Sequence, residues 1–246
     1  DSLLWCPPCF HGTAEDARRH PPFSDRPLDV AFVGSMNAEA MPQRVDFIRR
    51  LGDRLKGRYR ILFGKTEGPV GEVYSRAKIV INYTTRPAWS YVPDPLNPRP
   101  HAVGLNGRVF DAMGHGAMLL ADSPAADLHQ LFREGEHFAF YRCHDVDAAE
   151  EKIRHYLDHE QERLSIALAG WQSIQERHTF PARSLHLASL ITESMRKQEE
   201  AQTGHGERRF LLARSLLRMA LHVHGGVFRK NHEEKLSHAR SILSDA

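Results

Sequence analysis

Few cysteines, little net charge and no long apolar run distinguish this chain of 246 residues, and each shortage narrows its possible functions. Three cysteines are too few for a disulfide framework and suit a reducing compartment, so we expect a cytoplasmic protein. A formal net charge of +2 gives no reason to expect binding to nucleic acid. No apolar run approaches the roughly 20 residues of a transmembrane helix, so no transmembrane segment is predicted.

The opening residues, DSLLW, lack the basic and apolar regions of a signal peptide. They also lack an initiating methionine. From this opening we expect the chain to be a piece of a longer protein or a trimmed product.

Short apolar runs alternate with amphipathic stretches through the middle of the chain. The runs typical of buried strands are DVAFVGS, YRILFGK, KIVINYT, AMLLA and HFAFY. The stretches with helical periodicity are residues 42–55, 71–77, 127–135, 147–158, 160–174 and 181–202. Repeated alternation of this kind predicts an α/β, Rossmann-like open parallel sheet with helices on both faces.

Composition divides the chain into three predicted parts. Residues 1–28 are rich in proline and are predicted to be a loop-like linker between domains, or a remnant of one. Residues 29–203 hold the alternating elements and form the predicted Rossmann-like domain. Residues 204–246 are predicted to be a helical hairpin tail, either a solvated basic face or an interaction module.

Ligands of doubly wound sheets bind at the carboxyl ends of the strands, so the loops there hold the candidate ligand-binding residues. The candidate residues that follow the first three strands are Gly34, Ser35, Lys65 and Asn82. The candidates in the loop before the next helix are Gly104, Leu105, Asn106 and Gly107. Arg44 is a further basic residue that could reach the same edge.

The stretch LNGRVFD, from Leu105 to Asp111, is the most informative of these loops. Asn106 is a good helix N-cap, and the glycines beside it let a ligand approach the backbone. Free N–H groups and the guanidinium of Arg108 favour a phosphate, and Asp111 one turn later suits the hydroxyls of a ribose. The alternative is that Arg108 and Asp111 form an ordinary i,i+3 surface pair.

Residues 107–141 and 157–191 resemble the carboxyl-terminal, donor-binding half of GT-B glycosyltransferases. The resemblance is to the group-1-like branch that includes the spore-maturation protein CgeB, and it covers residues 28–195. The positions that carry it are Arg108, Phe110, Gly116, Phe132, Gly135, Glu136, His178, Thr179 and Arg183.

The resemblance implies a glycosyltransferase that transfers a sugar from a nucleotide-diphosphate sugar to an unknown acceptor, which could be a glycan, a lipid or a protein. It implies that Arg108 neutralises the leaving diphosphate, helped by Arg44 or Lys65, and that Asp111 binds the ribose where the family has glutamate. No metal and no cofactor are expected, and the acceptor would bind an amino-terminal domain absent from this chain.

One departure from the family pattern leaves other functions open. Retaining relatives carry a second glutamate eight positions before the ribose-binding one, and here that position is Val103. A non-catalytic nucleotide-binding or scaffold protein of a spore or envelope polysaccharide system is one alternative, and a GT-B-type sugar epimerase is another. His115 and His137 are weaker candidates for residues flanking the cleft, and Cys6 with Cys9 for a metal site.

Overall fold

The computed structural model describes residues 8–22, 25–84, 105–122 and 126–201. The chain divides into two compact units, residues 1–186 and 187–246, and the fold that follows is that of the first. Gly104 and the predicted tail at residues 204–246 lie outside the described residues. None of the described helices is long and apolar enough to cross a membrane.

Strands and helices alternate through the described ranges. The strands are β1 Leu28–Val33, β2 Ile61–Gly64, β3 Ala77–Asn82, β4 Met118–Asp122 and β5 Ala139–Tyr141. The helices are α1 Ala14–Arg18, α2 Pro42–Leu55, α3 Val70–Arg76, α4 Gly107–Gly114, α5 Ala126–Leu131, α6 Val146–Asp158, α7 Glu160–Arg177 and α8 Phe180–Ala201.

The five strands form one parallel sheet in the order β2-β1-β3-β4-β5. The chain runs outward from β1 to β2, returns to β3 on the other side of β1, and then runs outward through β4 to β5. Strand order therefore reverses between β1 and β3, and loops leaving their carboxyl ends diverge to open a crevice. This sheet confirms the predicted α/β fold class.

Helices cover both faces of the sheet, because neighbouring side chains of each strand point to opposite sides. On one face Phe47 and Ile48 of α2 pack with Phe32 and Ile79 in a cluster that also includes α6. On the other face the residues of α3 and α4, Phe110 among them, pack against Ala31, Val80 and Leu119. The paired cores hold α4 against the sheet with its first turn at the crevice.

The amino-terminal segment contains a helix, so the prediction that it is loop-like was wrong. Helix α1 begins with a capping box, in which the Thr13 hydroxyl accepts the Asp16 N–H and the Asp16 carboxylate accepts the Thr13 N–H. The Thr-x-x-Asp spacing is a known sequence signal for such a start. The helix lies against α7, where the Trp171 indole donates to Ala17 O over 2.8 Å.

A buried arginine ties this segment to the sheet. Arg26 is 1% exposed, and its Nη1 donates to Tyr74 O at 3.1 Å and to Ala77 O at 3.0 Å. Its Nη2 donates to Pro21 O and to His115 O, both at 3.0 Å. Burial lowers the pKa of Arg26 to about 10, which still leaves the guanidinium charged at neutral pH.

Replacing Arg26 by leucine is expected to lower the free energy of unfolding by about 3 kcal/mol, because four backbone carbonyls, those of Tyr74 and Ala77 buried, lose charged donors. Urea unfolding followed by circular dichroism measures the loss. Arg19→Leu is the matched control, since Arg19 is two-thirds exposed and pairs only with carboxylates of its own segment. Equal urea midpoints for the two variants would show that Arg26 does not tie the segment down.

Candidate anion-binding site

Arg108, in the first turn of α4, spans the point where strand order reverses. Its Nε donates to Val33 O at the end of β1 over 3.1 Å, and its Nη1 donates to Asn82 Oδ1 at the end of β3 over 3.2 Å. The structure therefore brings the predicted residues Arg108 and Asn82 together at the crevice where ligands of such sheets bind.

Gly34 allows this close approach. A Cβ atom at Gly34 would lie 2.9 Å from Arg108 Nη2 and 2.9 Å from the Phe32 ring, closer than packed carbon atoms come. The Arg108 guanidinium carbon lies 4.7 Å from the centre of the Phe32 ring. The guanidinium is thus held by two strand ends and an aromatic face, which fixes where its charge lies.

Arg44 of α2 adds a second cation at the same place. Its Nη2 donates to Ser35 O over 2.6 Å, and its guanidinium carbon lies 5.9 Å from the same Phe32 ring. Arg44 is buried, and burial together with the nearby positive charge of Arg108 lowers its pKa. The predicted residue Arg44 therefore reaches the site, by way of the loop that contains Ser35.

Neither arginine forms an ion pair with a carboxylate of the described residues. Charged side chains at the amino ends of the strands are paired differently, because Asp29 forms ion pairs with both Arg60 and Lys78 there. Burial favours the neutral form of Asp29, but these cations outweigh it and hold the pKa of that carboxyl well below its usual range. Two adjacent guanidinium groups without a carboxylate are electrostatically suited to an anion.

The start of α4 faces the same crevice, although Asn106 does not cap it as predicted. Asn106 occupies the N-cap position with extended backbone, but its side chain makes no capping bond to the helix. Instead its Nδ2 donates to Asn82 Oδ1 over 2.9 Å. The Asn106 side chain consequently leaves the first-turn N–H groups uncapped, as an anion site at a helix start requires.

Asp111 pairs with His11 rather than with Arg108, so the alternative of an i,i+3 surface pair is not what the structure shows. Asp111 Oδ1 lies 3.4 Å from His11 Nδ1, and hydrogen bonding to Asp111 raises the pKa of His11. A Cβ atom at Gly107 would lie 3.8 Å from Asp111 and 3.5 Å from His11, which places both beside the first turn of α4. Sequence reasoning did not place His11 at this site, because it lies 100 positions before Asp111 in a segment taken for a loop.

Two further predicted residues are less closely tied to the site. Lys65 is exposed just beyond the carboxyl end of β2, on the strand next to β1. Leu105 packs its side chain against the core cluster that includes α4.

The expectation that His115 and His137 flank the cleft was wrong. His115 follows α4, and His137 precedes β5, so both lie at the amino ends of the strands, opposite the crevice. For metals, the described residues contain no group of three or more His, Cys, Asp or Glu side chains placed to hold an ion. Cys6 lies outside the described residues.

Asp122, the last residue of β4, is a buried carboxylate that sequence reasoning did not select. It accepts the Thr84 N–H at 2.6 Å, the Thr84 hydroxyl at 3.0 Å and the Asn82 Nδ2 at 3.4 Å. The side chain is almost completely buried, and burial raises the pKa of Asp122 from 3.8 to about 6. An acid that directly ends an apolar run at a predicted strand end is the signal that could have found it.

A parallel sheet of this order is a doubly wound α/β fold, in which ligands bind where the strand order reverses. The chain belongs to the glycosyl transferase-like family, whose model matches residues 44–189. No curated protein matches the chain.

Solved structures of glycosyltransferases share this fold. Sucrose-phosphate synthase from Thermosynechococcus elongatus is 14% identical, with a TM-score of 0.50 over 80% of this chain and 53% of that one. HepE of Anabaena, solved in complex with UDP, is 12% identical, with a TM-score of 0.52 over 74% of this chain and 56% of that one. A glycosyltransferase from Rickettsia africae is 9% identical, with a TM-score of 0.51 over 75% and 55%.

At such identities the likeness shows the fold, and it confirms the fold expected from the resemblance to GT-B glycosyltransferases. The chain spans about half the length of these solved chains.

The raised pKa of Asp122 predicts a specific dependence of stability on pH. Between pH 4 and 6 the folded chain holds the Asp122 proton more tightly than the unfolded chain, so this group's stabilisation is lost as pH rises through 6. The pKa difference of about 2 corresponds to about 3 kcal/mol. Unfolding free energies of wild type and Asp122→Asn at pH 4 and pH 7 should therefore diverge by this amount, with the variant gaining. A constant difference would contradict the assignment.

Proposed function

We propose that the chain is the donor-binding half of a nucleotide-sugar glycosyltransferase, of the branch that includes CgeB. Two adjacent arginines, Arg44 and Arg108, without carboxylate partners in the described residues carry this proposal. A nucleotide sugar presents a diphosphate that two guanidinium groups and a helix start can bind together. The acceptor would be bound by another domain, in keeping with the share of the similar solved chains that this chain spans.

The chemistry of sugar transfer explains why the cations would be rigidly held. The bond from the anomeric carbon to the diphosphate oxygen breaks while the acceptor oxygen bonds to that carbon, and negative charge grows on the departing diphosphate. Fixed positive groups stabilise such charge without having to reorganise during the reaction. Arg108 is fixed in this way by Val33 O, Asn82 and Phe32, so in this proposal the protein supplies the charge and no metal ion is used.

The remaining predicted residues take supporting roles in the proposal. Asp111 binds the ribose, and His11 beside it orients the carboxylate. The backbone at Gly34, Ser35, Leu105 and Gly107 lines the diphosphate, and Gly104, which lies outside the described residues, keeps the same predicted role. Lys65 is exposed one strand away and contributes a more distant positive charge.

One observation favours a second candidate, a nucleotide-binding protein without transferase activity. Asp111 already has a partner in His11, and Val103 stands where retaining relatives have a second glutamate. Such a protein would bind the nucleotide through the same arginines but would not turn over the donor.

Arg108→Gln and Arg44→Gln should each weaken binding of the preferred nucleotide by about 1–3 kcal/mol, which is roughly 5- to 150-fold, because each removes a charged hydrogen bond. Calorimetry with UDP, GDP and their sugars, on the chain as it stands, measures this. Arg49→Gln is the matched control, since Arg49 lies on the exposed side of the same helix as Arg44.

Equal affinities for all three arginine variants would show that the anion does not bind at the switch point. Binding of nucleotide with no consumption of the sugar donor by the full-length protein would favour the second candidate.

A further inference from the structure

A row of polar side chains joins the buried Asp122 to Arg108 through Asn82. The Asn82 Nδ2 donates to Asp122 over 3.4 Å and to the Thr84 hydroxyl over 2.8 Å. The Asn82 Oδ1, on the other branch of the amide, accepts from Asn106 at 2.9 Å and from Arg108 at 3.2 Å. One carboxamide therefore has acceptors on one side and donors on the other.

This arrangement makes Asp122 one of the groups that set which way Asn82 faces. If the amide were reversed, Nδ2 would point at the Arg108 guanidinium, and two donors would oppose each other. Asp122 opposes the same reversal from the other side, because Oδ1 would then face the Asp122 oxygen that now accepts from Nδ2. Asp122 is itself fixed, since the Thr84 N–H and hydroxyl both donate to it.

We propose that Asp122 is a positioning residue of the donor site, which orients Asn82 so that Asn82 holds Arg108, and which takes up a proton when the diphosphate binds. The inference rests on the proposed function for its ligand. In this inference Asp122 does not contact the bound anion, but its protonation changes when an anion binds at the candidate anion-binding site.

The uptake of a proton follows from the charges that face Asp122. Burial disfavours the charged form of Asp122, and the positive charge of Arg108 partly opposes that effect. A bound diphosphate brings negative charge close to Arg108 and cancels its help, so the pKa of Asp122 rises further. By linkage, the ligand then binds more strongly at low pH than at high pH.

Three other titratable groups of this cluster, two tyrosines and a cysteine, do not change charge in the same range. Burial raises the pKa of Tyr83 and of Tyr141 well above their usual range, and that of the Cys143 thiol to about 12. Arg44 acts on Tyr83 and remains a cation, and His144 bonds to the Tyr83 hydroxyl. Unlike the two tyrosines and the cysteine, Asp122 has a pKa near 6.

Calorimetry of UDP-glucose binding, in two buffers of different ionisation heat between pH 5 and 8, tests the proposal. UDP-glucose is chosen because both phosphates of its diphosphate are esterified, so the ligand itself takes up no proton near pH 6. If binding raises the pKa of Asp122 by 1, wild type should take up about half a proton near pH 6.5 and lose affinity about tenfold from pH 5 to 8.

Three variants separate positioning from titration. Asp122→Asn keeps the size of the side chain without its charge, so uptake near pH 6 should vanish and affinity should become flat across that range. Asp122→Ala removes one of the two acceptors of Asn82 Nδ2 and the acceptor of the Thr84 N–H, so Asn82 is held less firmly and binding should be weaker at every pH. His155→Gln removes an exposed histidine of α6 that lies outside the proposed site, and it should retain the uptake near pH 6. Uptake in Asp122→Asn equal to that of wild type would overturn the proposal.

A measurement without ligand keeps this inference distinct from the proposed function. Failure of both UDP-glucose and GDP-mannose to bind would count against the proposed function alone. The coupling would still be read from carboxyl NMR titration of Asp122, whose pKa should rise by at least about 0.5 in Arg108→Gln. An Asp122 pKa that is the same in wild type and Arg108→Gln would overturn the inference.

Discussion

The placement of one guanidinium, that of Arg108, is the constraint on which the candidate site depends. It lies where the strand order reverses, bonded to the ends of β1 and β3, and a glycine at position 34 leaves room for it. Every other feature of the site stands in relation to it. Arg44 shares its aromatic neighbour, Asn82 accepts from it, and Asp122 lies beyond Asn82 in the interior.

Charged side chains are paired differently at the two ends of the strands. At the amino ends, Asp29 is surrounded by Arg60 and Lys78, and Arg26 bonds to four backbone carbonyls, so charge there is satisfied within the chain. At the carboxyl ends, two arginines stand together without a carboxylate of the described residues. Charges balanced internally stabilise the fold, whereas those left unbalanced are available to a ligand.

Local patterns in the sequence predicted the fold well, because strand and helix identity depend on periodicity over a few residues. Helix α2 begins and ends where the periodicity of residues 42–55 placed it. The site was predictable in part, since Arg108, Asn82 and Gly34 all follow or face strand ends. His11 and Asp122 were not selected, because their roles come from contacts between distant segments, which spacing along a chain does not reveal. Helix α1 was missed for a different reason: the prolines before and after it indicated a loop, and its capping box was overlooked.

The segment before the first strand has a consequence for how such domains are delimited. Phe10 bridges to Thr179, and its N–H donates to His178 O over 2.8 Å, so the earliest described residues lie beside the end of α7. A fragment chosen to begin at β1 would keep every strand and helix of the sheet. It would nonetheless lose His11, whose imidazole lies beside Asp111, and Arg26, whose guanidinium joins α3 to the end of α4. Boundaries drawn from strand topology alone would thus yield a domain that keeps its sheet but has lost one side chain of the candidate site.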